Sequence, residues 1–104
     1  MDADLIIHPG EILLEEFIRP HGLTPSGLAE RLGLPANRIT HIVNGERGIS
    51  AETAVLLGTA FGTSAQFWTN LQARYELDQA RANGEISAER VAKAEALHRA
   101  LEAA

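Results

Sequence analysis

The 104-residue sequence contains no cysteine. Disulfide bonds, zinc ribbons, iron–sulfur clusters and thiol nucleophiles are therefore excluded, and nothing points to an oxidising compartment. Long apolar runs are also lacking, because no stretch approaches the roughly 20 residues that a membrane-spanning helix needs. Residues 1–10 contain two aspartates but no lysine or arginine, unlike the basic start of a signal peptide. The sequence therefore predicts a single cytoplasmic domain without a membrane segment.

Signatures of catalysis are lacking as well. No pair of histidines has the H-E-x-x-H spacing of a metal site, and no G-x-x-x-x-G-K-[ST] loop is present to hold a nucleotide. Glu15 and Glu16 are adjacent and would diverge on a helix, so they cannot flank a substrate bond as paired catalytic carboxylates do. We expect neither an enzyme nor a bound metal or cofactor.

Basic residues are fewer than acidic ones: nine Lys and Arg stand against 14 Asp and Glu, which gives a net charge of −5. Taken over the whole chain, this balance argues against nucleic acid and for a basic partner. The distribution is uneven, however, since residues 31–47 contain three arginines and one glutamate. A local basic patch on an acidic protein is therefore the part of the chain that fits nucleic acid.

Residues that begin and end helices recur along the chain. Five glycines follow helix-like stretches and are placed to end them in the left-handed conformation, namely Gly22, Gly33, Gly45, Gly62 and Gly84. Four N-cap residues are placed to begin helices, namely Thr24, Ser50, Ser64 and Ser87. We predict helices near residues 9–19, 24–32, 35–44, 50–61, 64–83 and 87–102. Because no stretch shows the period-two alternation of a strand, the predicted fold class is all-α.

The stretch from Pro25 to Asn44 has the spacing of two helices that cross closely through a tight turn. Small Ala29 lets the backbones approach, Gly33 makes the turn, and Ile39 fills the angle between the helices. The remaining apolar residues complete the buried side, namely Leu28, Leu32, Leu34 and Ile42. This pattern resembles a helix-turn-helix, whose second helix lies in the major groove of DNA. The alternative is a leucine-rich helical hairpin that serves only core packing.

Short polar residues cover the outer face of the second helix if its isoleucines face inward. The candidate base contacts are Ala36, Asn37, Thr40 and His41. Asparagine can form two hydrogen bonds to adenine, and threonine or alanine can meet the methyl group of thymine. The candidate phosphate contacts are Ser26, Arg38, Asn44 and Arg47.

Longer motifs extend the resemblance to a family. The motifs LAERLGL at residues 28–34 and IVNGERGIS at residues 42–50 look like the phage-repressor-type (Xre) helix-turn-helix. The flanking motifs, HPGEIL at residues 8–13 and FGTSAQFWTNLQARY at residues 61–75, are similar to HigA-type antitoxins. The resemblance covers about residues 8 to 80. It implies a compact helix-turn-helix DNA-binding domain. The predicted helices add long C-terminal helices, and we divide the chain into residues 1–83, with a dimerisation helix, and an accessory helix in residues 84–104.

The same resemblance implies a function. The expected protein is a homodimeric antitoxin that neutralises a basic, RelE-like, mRNA-cleaving toxin of the HigB class. It would also repress its own operon by binding a palindromic operator in double-stranded DNA. Two other interpretations stay open: a stand-alone Xre-type repressor without a toxin partner, and a protein-interaction module whose helix-turn-helix is vestigial.

Two apolar stripes are candidates for contacts between subunits. Phe67, Trp68, Leu71 and Tyr75 share one face of the fifth predicted helix, and we predict a dimer interface there, with simple core packing as the alternative. A narrower stripe on the last segment, which we expect to pack on the domain or on a partner subunit, consists of Val91, Ala94, Leu97 and Leu101.

Acidic side chains are the candidates for a basic toxin. We place this contact on the first helix, at Glu11, Glu15 and Glu16, with Asp2 and Asp4 ahead of it. The alternative acidic set lies in the tail and consists of Glu76, Asp78 and Glu85. Either set also fits a face that contacts only solvent.

Overall fold

The computed structural model describes residues 5–82, 84 and 86–103. Within these residues the chain is entirely helical and contains no strand, so the predicted all-α class is confirmed. The first helix, α1, comprises Pro9–Ile12 and continues directly into a π-helical segment, Leu13–Ile18. The other helices are α2 (Pro25–Arg31), α3 (Arg38–Val43), α4 (Ala51–Phe61), α5 (Ala65–Ala82) and α6 (Ala88–Ala103).

The predicted helix starts and stops are confirmed by local geometry. The hydroxyl of Thr24 accepts a hydrogen bond from the Gly27 N–H at 3.0 Å, and that of Ser50 accepts one from Thr53 at 3.3 Å. Ser64 and Ser87 cap α5 and α6 in the same way. All five predicted stop glycines are left-handed, with φ between 67° and 77°. These positions tolerate other residues poorly, because an L side chain rarely adopts that conformation.

The helix boundaries differ from the prediction in two places. The backbone N–H of Arg19 donates to the carbonyl of Leu14, five residues back, so the segment that continues α1 is π-helical and wider than an ordinary α-helix. The predicted start of α3 at residue 35 is wrong, since Pro35 to Asn37 form a turn and the helix begins at Arg38. The predicted end of the fifth helix, residue 83, lies outside the described residues.

One apolar core joins α1 to α5. Its buried hydrophobic residues are Leu13, Ile18, Leu28, Ala29, Ile39, Ile42, Ile49, Ala54, Leu57 and Trp68. The predicted crossing of α2 and α3 is confirmed, since Ala29 and Ile39 have no exposed surface. Each fully buried leucine or isoleucine contributes about 1.5–3 kcal/mol to folding. Burial of one side of α3 therefore fixes which of its residues remain on the surface.

The HPG motif at residues 8–10 joins the start of α1 to the end of α3. The Nδ1 atom of His8 accepts a hydrogen bond of 2.9 Å from the Gly10 N–H and so caps α1. Gly10 lies so close to α3 that a Cβ there would overlap the backbone carbonyl of Ile42. His8 packs edge-to-face on Tyr75 of α5, and the two ring centroids are 4.6 Å apart. The motif thus seats α1, α3 and α5 against one another.

The last helix, α6, differs from the others because it has no buried residue. Of the two expectations for its stripe, packing on the domain is wrong, since Val91, Leu97 and Leu101 are all exposed, and packing on a partner subunit stays a prediction. The predicted division into residues 1–83 and 84–104 stays a prediction. Among the helices of residues 5–82 and 86–103, none has the length and apolar character to cross a bilayer.

Candidate nucleic-acid interface

The second helix of the helix-turn-helix, α3, presents a polar face to the surface. Ile39 and Ile42 are completely buried on its inner side. Of the candidate base contacts, Ala36 and Asn37 are exposed, while Thr40 and His41 are half-buried. Asn37 is the N-cap residue of α3, but its side chain makes no capping hydrogen bond. Its amide therefore remains accessible to an external partner.

The candidate phosphate contacts surround α3 on neighbouring segments. Ser26 is exposed in the first turn of α2, whose N-cap is Thr24. Asn44 is exposed at the C-cap of α3, and Arg47 is exposed in the loop between α3 and α4. Helix starts and arginines both suit phosphate. Contacts with DNA at these residues stay a prediction.

Arg38 does not fit its predicted role as a phosphate contact. Its side chain is only 17% exposed, and its Nη1 atom lies 3.4 Å from Oε1 of Glu52 in the first turn of α4. Its Nε atom is buried and has no hydrogen-bond partner within the described part of the chain. Arg38 is therefore held against α4, and a phosphate would have to share this guanidinium with Glu52. Its surroundings fit a residue that positions the start of α3.

The loop after α3 is fixed by a residue that the sequence analysis missed. The Oε1 atom of Gln72 accepts a hydrogen bond of 2.9 Å from the backbone N–H of Ile49. Gly48 lies beside the same amide, and a Cβ there would be 2.8 Å from Nε2 of Gln72. The two ends of this hydrogen bond are 23 residues apart, so no local sequence signal marks it. Gln72 thereby holds the loop that carries Arg47.

The predicted dimer stripe is largely part of its own chain's core. Trp68 has no exposed surface, and its Nε1–H donates to the hydroxyl of Thr63 at 2.8 Å. Its assignment to a dimer interface is therefore wrong, because a fully buried side chain cannot contact a second copy. Leu71 is half-buried and Tyr75 packs on His8. Phe67 is the exposed member, and its ring leans on Phe17 and Trp68.

The acidic residues predicted to bind a toxin lie on the surface. Glu11, Glu15 and Glu16 are all exposed, and Glu15 pairs with Arg19 at 3.0 Å. Of the alternative set, Glu76 is exposed and Asp78 is half-buried. Asp2, Asp4 and Glu85 lie outside the described residues. A toxin contact at either set stays a prediction.

Comparisons with known proteins connect this geometry to a family. The helix-turn-helix family model HTH_3 matches residues 14–68. Virulence-associated protein I of Dichelobacter nodosus is 49% identical over 74 residues, which are 71% of this chain and 68% of that protein.

Two solved structures resemble the chain over most of its length. Pseudomonas aeruginosa antitoxin HigA, solved with the higBA promoter, is 47% identical with a TM-score of 0.75, over 78% of this chain and 88% of that chain. An addiction module antidote protein of the HigA family from Coxiella burnetii is 44% identical with a TM-score of 0.72, over 77% of this chain and 87% of that chain. Both similarities extend well beyond the helix-turn-helix.

Proposed function

Because the chain belongs to the Xre-like helix-turn-helix family HTH_3, we propose that it is a HigA-like antitoxin that represses its own operon. The observation that carries the DNA-binding part is the accessible polar face of α3, which lies opposite the buried Ile39 and Ile42. The similar Pseudomonas aeruginosa antitoxin was solved with a promoter, which supports the same partner here. Double-stranded operator DNA is therefore the proposed ligand.

The first part of α3 lies in the major groove in this proposal. Asn37 has an amide with one donor group and one acceptor, which matches the edge of adenine. Thr40 and His41 are half-buried, so only part of each side chain is available to the bases, whereas Asn37 is exposed. Ser26, Asn44 and Arg47 contact phosphates and set the register of the helix along the groove.

Two copies bind one operator. Palindromic sites are read by two recognition helices about 34 Å apart, each in its own half-site. Since Trp68 is buried within one chain, the second copy contacts the exposed rim of α5, including Phe67. Net charge opposes DNA binding over the whole chain, so the arginines around α3 supply the local attraction.

A separate acidic surface holds the toxin. The proposed partner is a basic, RelE-like toxin that cleaves mRNA, because an enzyme that grips RNA carries positive charge. Glu11 is exposed on α1, and Glu15 and Glu16 are exposed on the π-helical segment that continues it, where such a protein can approach. Since α1 packs directly on α3, toxin binding at α1 can change operator affinity through linkage.

Operator binding is tested with Asn37→Ala in a titration of the promoter upstream of this gene. Loss of one two-bond base contact costs about 1–3 kcal/mol, or roughly 5- to 150-fold in affinity. Thr59→Ala is the control, because Thr59 is an exposed polar residue on α4. Equal affinity of the two variants would show that α3 does not read the operator. No binding by the wild-type chain would favour the protein-interaction module.

The toxin partner is tested by co-expression with the neighbouring reading frame. We expect a small basic protein to co-purify with the wild-type chain and to be lost from the triple variant Glu11→Gln, Glu15→Gln and Glu16→Gln. Glu76→Gln is the control from the alternative acidic set. Retention by the triple variant and loss by the control would move the site to α5. Operator binding without any co-purifying toxin would favour the stand-alone repressor.

A further inference from the structure

The last helix, α6, is long and has no partner within the described residues that buries it. All of its 16 residues are exposed, including Val91, Leu97 and Leu101, whose exposures lie between 44% and 66%. In proteins most of the stability of a helix comes from packing of one of its faces, and α6 has no such packing within the described residues. Its apolar residues therefore suit a contact with another molecule.

Part of the surface of α6 fits a heptad pattern, in which Leu97 lies at the g position beside the seam. Val91 and His98 occupy a positions, and Ala94 and Leu101 occupy d positions, which together form one seam along the helix. In this register Arg90 is a g residue and Glu95 is an e residue, on opposite sides of the seam. A shallow surface hollow is lined by residues of this seam and its flanks, among them Arg90, Val91, Ala94, Glu95 and His98.

The charges beside the seam identify the partner. In a parallel coiled coil, a g residue of one helix lies beside the e residue five positions further along the other helix, so Arg90 of each copy meets Glu95 of the other. Four other polar side chains of α6 are already paired within the helix. Glu89 lies beside Lys93, and His98 lies beside Glu102. Among the described residues, neither Arg90 nor Glu95 takes part in an ion pair. We propose that α6 pairs with α6 of a second copy of this chain, in parallel and in register.

The alternative arrangements leave these charges unmatched. An antiparallel pair places e residues opposite e residues, which brings Glu95 towards Glu95 of the other copy. A seam shifted onto Leu97 places Lys93 and His98 at the flanks, and no opposite charges meet. In the parallel register, His98 is the polar residue at an a position, and a polar a residue favours one alignment of the two helices.

The seam is short, so α6 acts as an addition to another contact between two copies. Two heptads with one alanine and one histidine layer bind weakly on their own. When two chains are already held together, the local concentration of one α6 around the other reaches the millimolar range for short connections. Pairing of α6 then tightens the association of the copies. This step needs no DNA, so its test is independent of operator binding.

The absence of cysteine makes the first test direct, because a single introduced thiol has no competing partner. In the full chain, Ala94→Cys places two thiols face to face across the seam, within the Cα separation of about 4.4–6.8 Å that a disulfide spans. We expect most of this variant to form a covalent dimer under mild oxidation. Ala96→Cys is the matched control, because residue 96 lies on the outer side of the seam. Equal cross-linking of the two variants would overturn the proposal.

Exchange of charges is the second test and fixes the direction of the helices. Arg90→Glu and Glu95→Arg each place like charges together at both flanks, and we expect each to weaken self-association of the full chain by roughly five- to tenfold. The double variant restores opposite charges and recovers the wild-type dissociation constant. Ala96→Glu, at the f position on the outer side of the seam, leaves it unchanged. If the single variants have no effect, or the double variant is as weak as the single ones, the parallel register is wrong.

The two tests also separate a second copy from a different protein partner. If α6 served only a toxin, Ala94→Cys would not cross-link the chain to itself, and the charge reversals would change toxin retention without changing self-association. Absence of self-cross-linking together with changed toxin retention would overturn pairing of α6 and leave operator binding unaffected. Circular dichroism of each variant checks that the helices remain folded.

Discussion

One hydrogen bond between Gln72 and Ile49 joins α5 to the loop between α3 and α4. The side-chain oxygen of Gln72 accepts from the Ile49 N–H at 2.9 Å, and Ile49 itself is buried. The loop between α3 and α4 therefore depends on the position of α5. A change that displaces α5 therefore also displaces this loop and the Arg47 side chain that it carries.

Gln72→Ala is expected to destabilise the fold and loosen this loop. The substitution leaves the buried N–H of Ile49 without its partner, which costs about 1–3 kcal/mol of unfolding free energy. Urea unfolding measures this loss, and operator titration measures the accompanying loss of affinity. Gln66→Ala is the control, because Gln66 is an exposed glutamine on the same helix. Equal unfolding midpoints for the two variants would show that the hydrogen bond contributes nothing.

Gly10→Ala is expected to be among the most damaging single-methyl additions in the chain. A Cβ at Gly10 overlaps the backbone carbonyl of Ile42, and backbone cannot rotate away as a side chain can. Forced separation of α1 from α3 costs about 3 kcal/mol or more. Gly22→Ala separates this effect from backbone strain, since Gly22 has φ +69° and no atom within 4 Å of its Cβ position. We expect Gly22→Ala to lower the free energy of unfolding by about 1–2 kcal/mol. A smaller decrease for Gly10→Ala than for Gly22→Ala would contradict the close approach of α1 to α3.

His8 is expected to make the stability depend on pH. Burial lowers the pKa of His8 below its ordinary value, although the nearby charge of Glu11 opposes the shift. The neutral ring also accepts the capping hydrogen bond from Gly10 through Nδ1, which a protonated ring cannot do. Because the unfolded chain binds the proton more readily, the stabilisation is complete above about pH 6.5 and declines as the pH falls from there towards the lowered pKa.

Urea unfolding at pH 7.5 and 5.5 checks this dependence. His8→Asn keeps an N-cap residue but removes the titrating group, so its stability should change less between the two pH values than that of the wild type. His21→Asn is the control, because His21 is an exposed histidine in the turn before α2. An unchanged pH dependence in His8→Asn would exclude His8 as its source.

Local signals account for the parts of the fold that the sequence predicts well. The Thr24 and Ser50 caps and the left-handed glycines act within one helical turn, so their residue types are sufficient to place the helix ends. The buried side of α3 follows from helical periodicity in the same way. The accessibility of Asn37 therefore follows from the sequence alone.

Long-range packing accounts for what the sequence did not predict. The apolar stripe of α5 is equally compatible with a core and with a dimer interface, and only the position of Phe17 and Thr63 decides that Trp68 is buried. The pairing of Arg38 with Glu52 spans 14 residues and two helices. A helical wheel does not reveal such a partner. The sequence therefore predicts a phosphate contact for Arg38, a basic residue beside the exposed face of α3.

Glu52→Gln distinguishes the two roles of Arg38 by the sign of its effect on operator affinity. If Arg38 positions the start of α3, removing the carboxylate loosens the helix and weakens operator binding. If Arg38 instead contacts a phosphate, the same substitution releases the guanidinium from competition and strengthens binding. We expect weakening, because the Arg38 side chain is largely covered and its Nη1 atom already lies near Glu52.

The salt dependence of binding supplies the independent measurement. A lysine or arginine that neutralises a phosphate contributes about 0.9 to the slope of log affinity against log salt concentration. Arg47→Gln should therefore reduce the slope by about one, since Arg47 is exposed in the loop after α3. Arg38→Gln should lower the affinity at every salt concentration and leave the slope unchanged, because its charge faces Glu52 rather than DNA. A slope reduced equally by both variants would return Arg38 to the phosphate contacts.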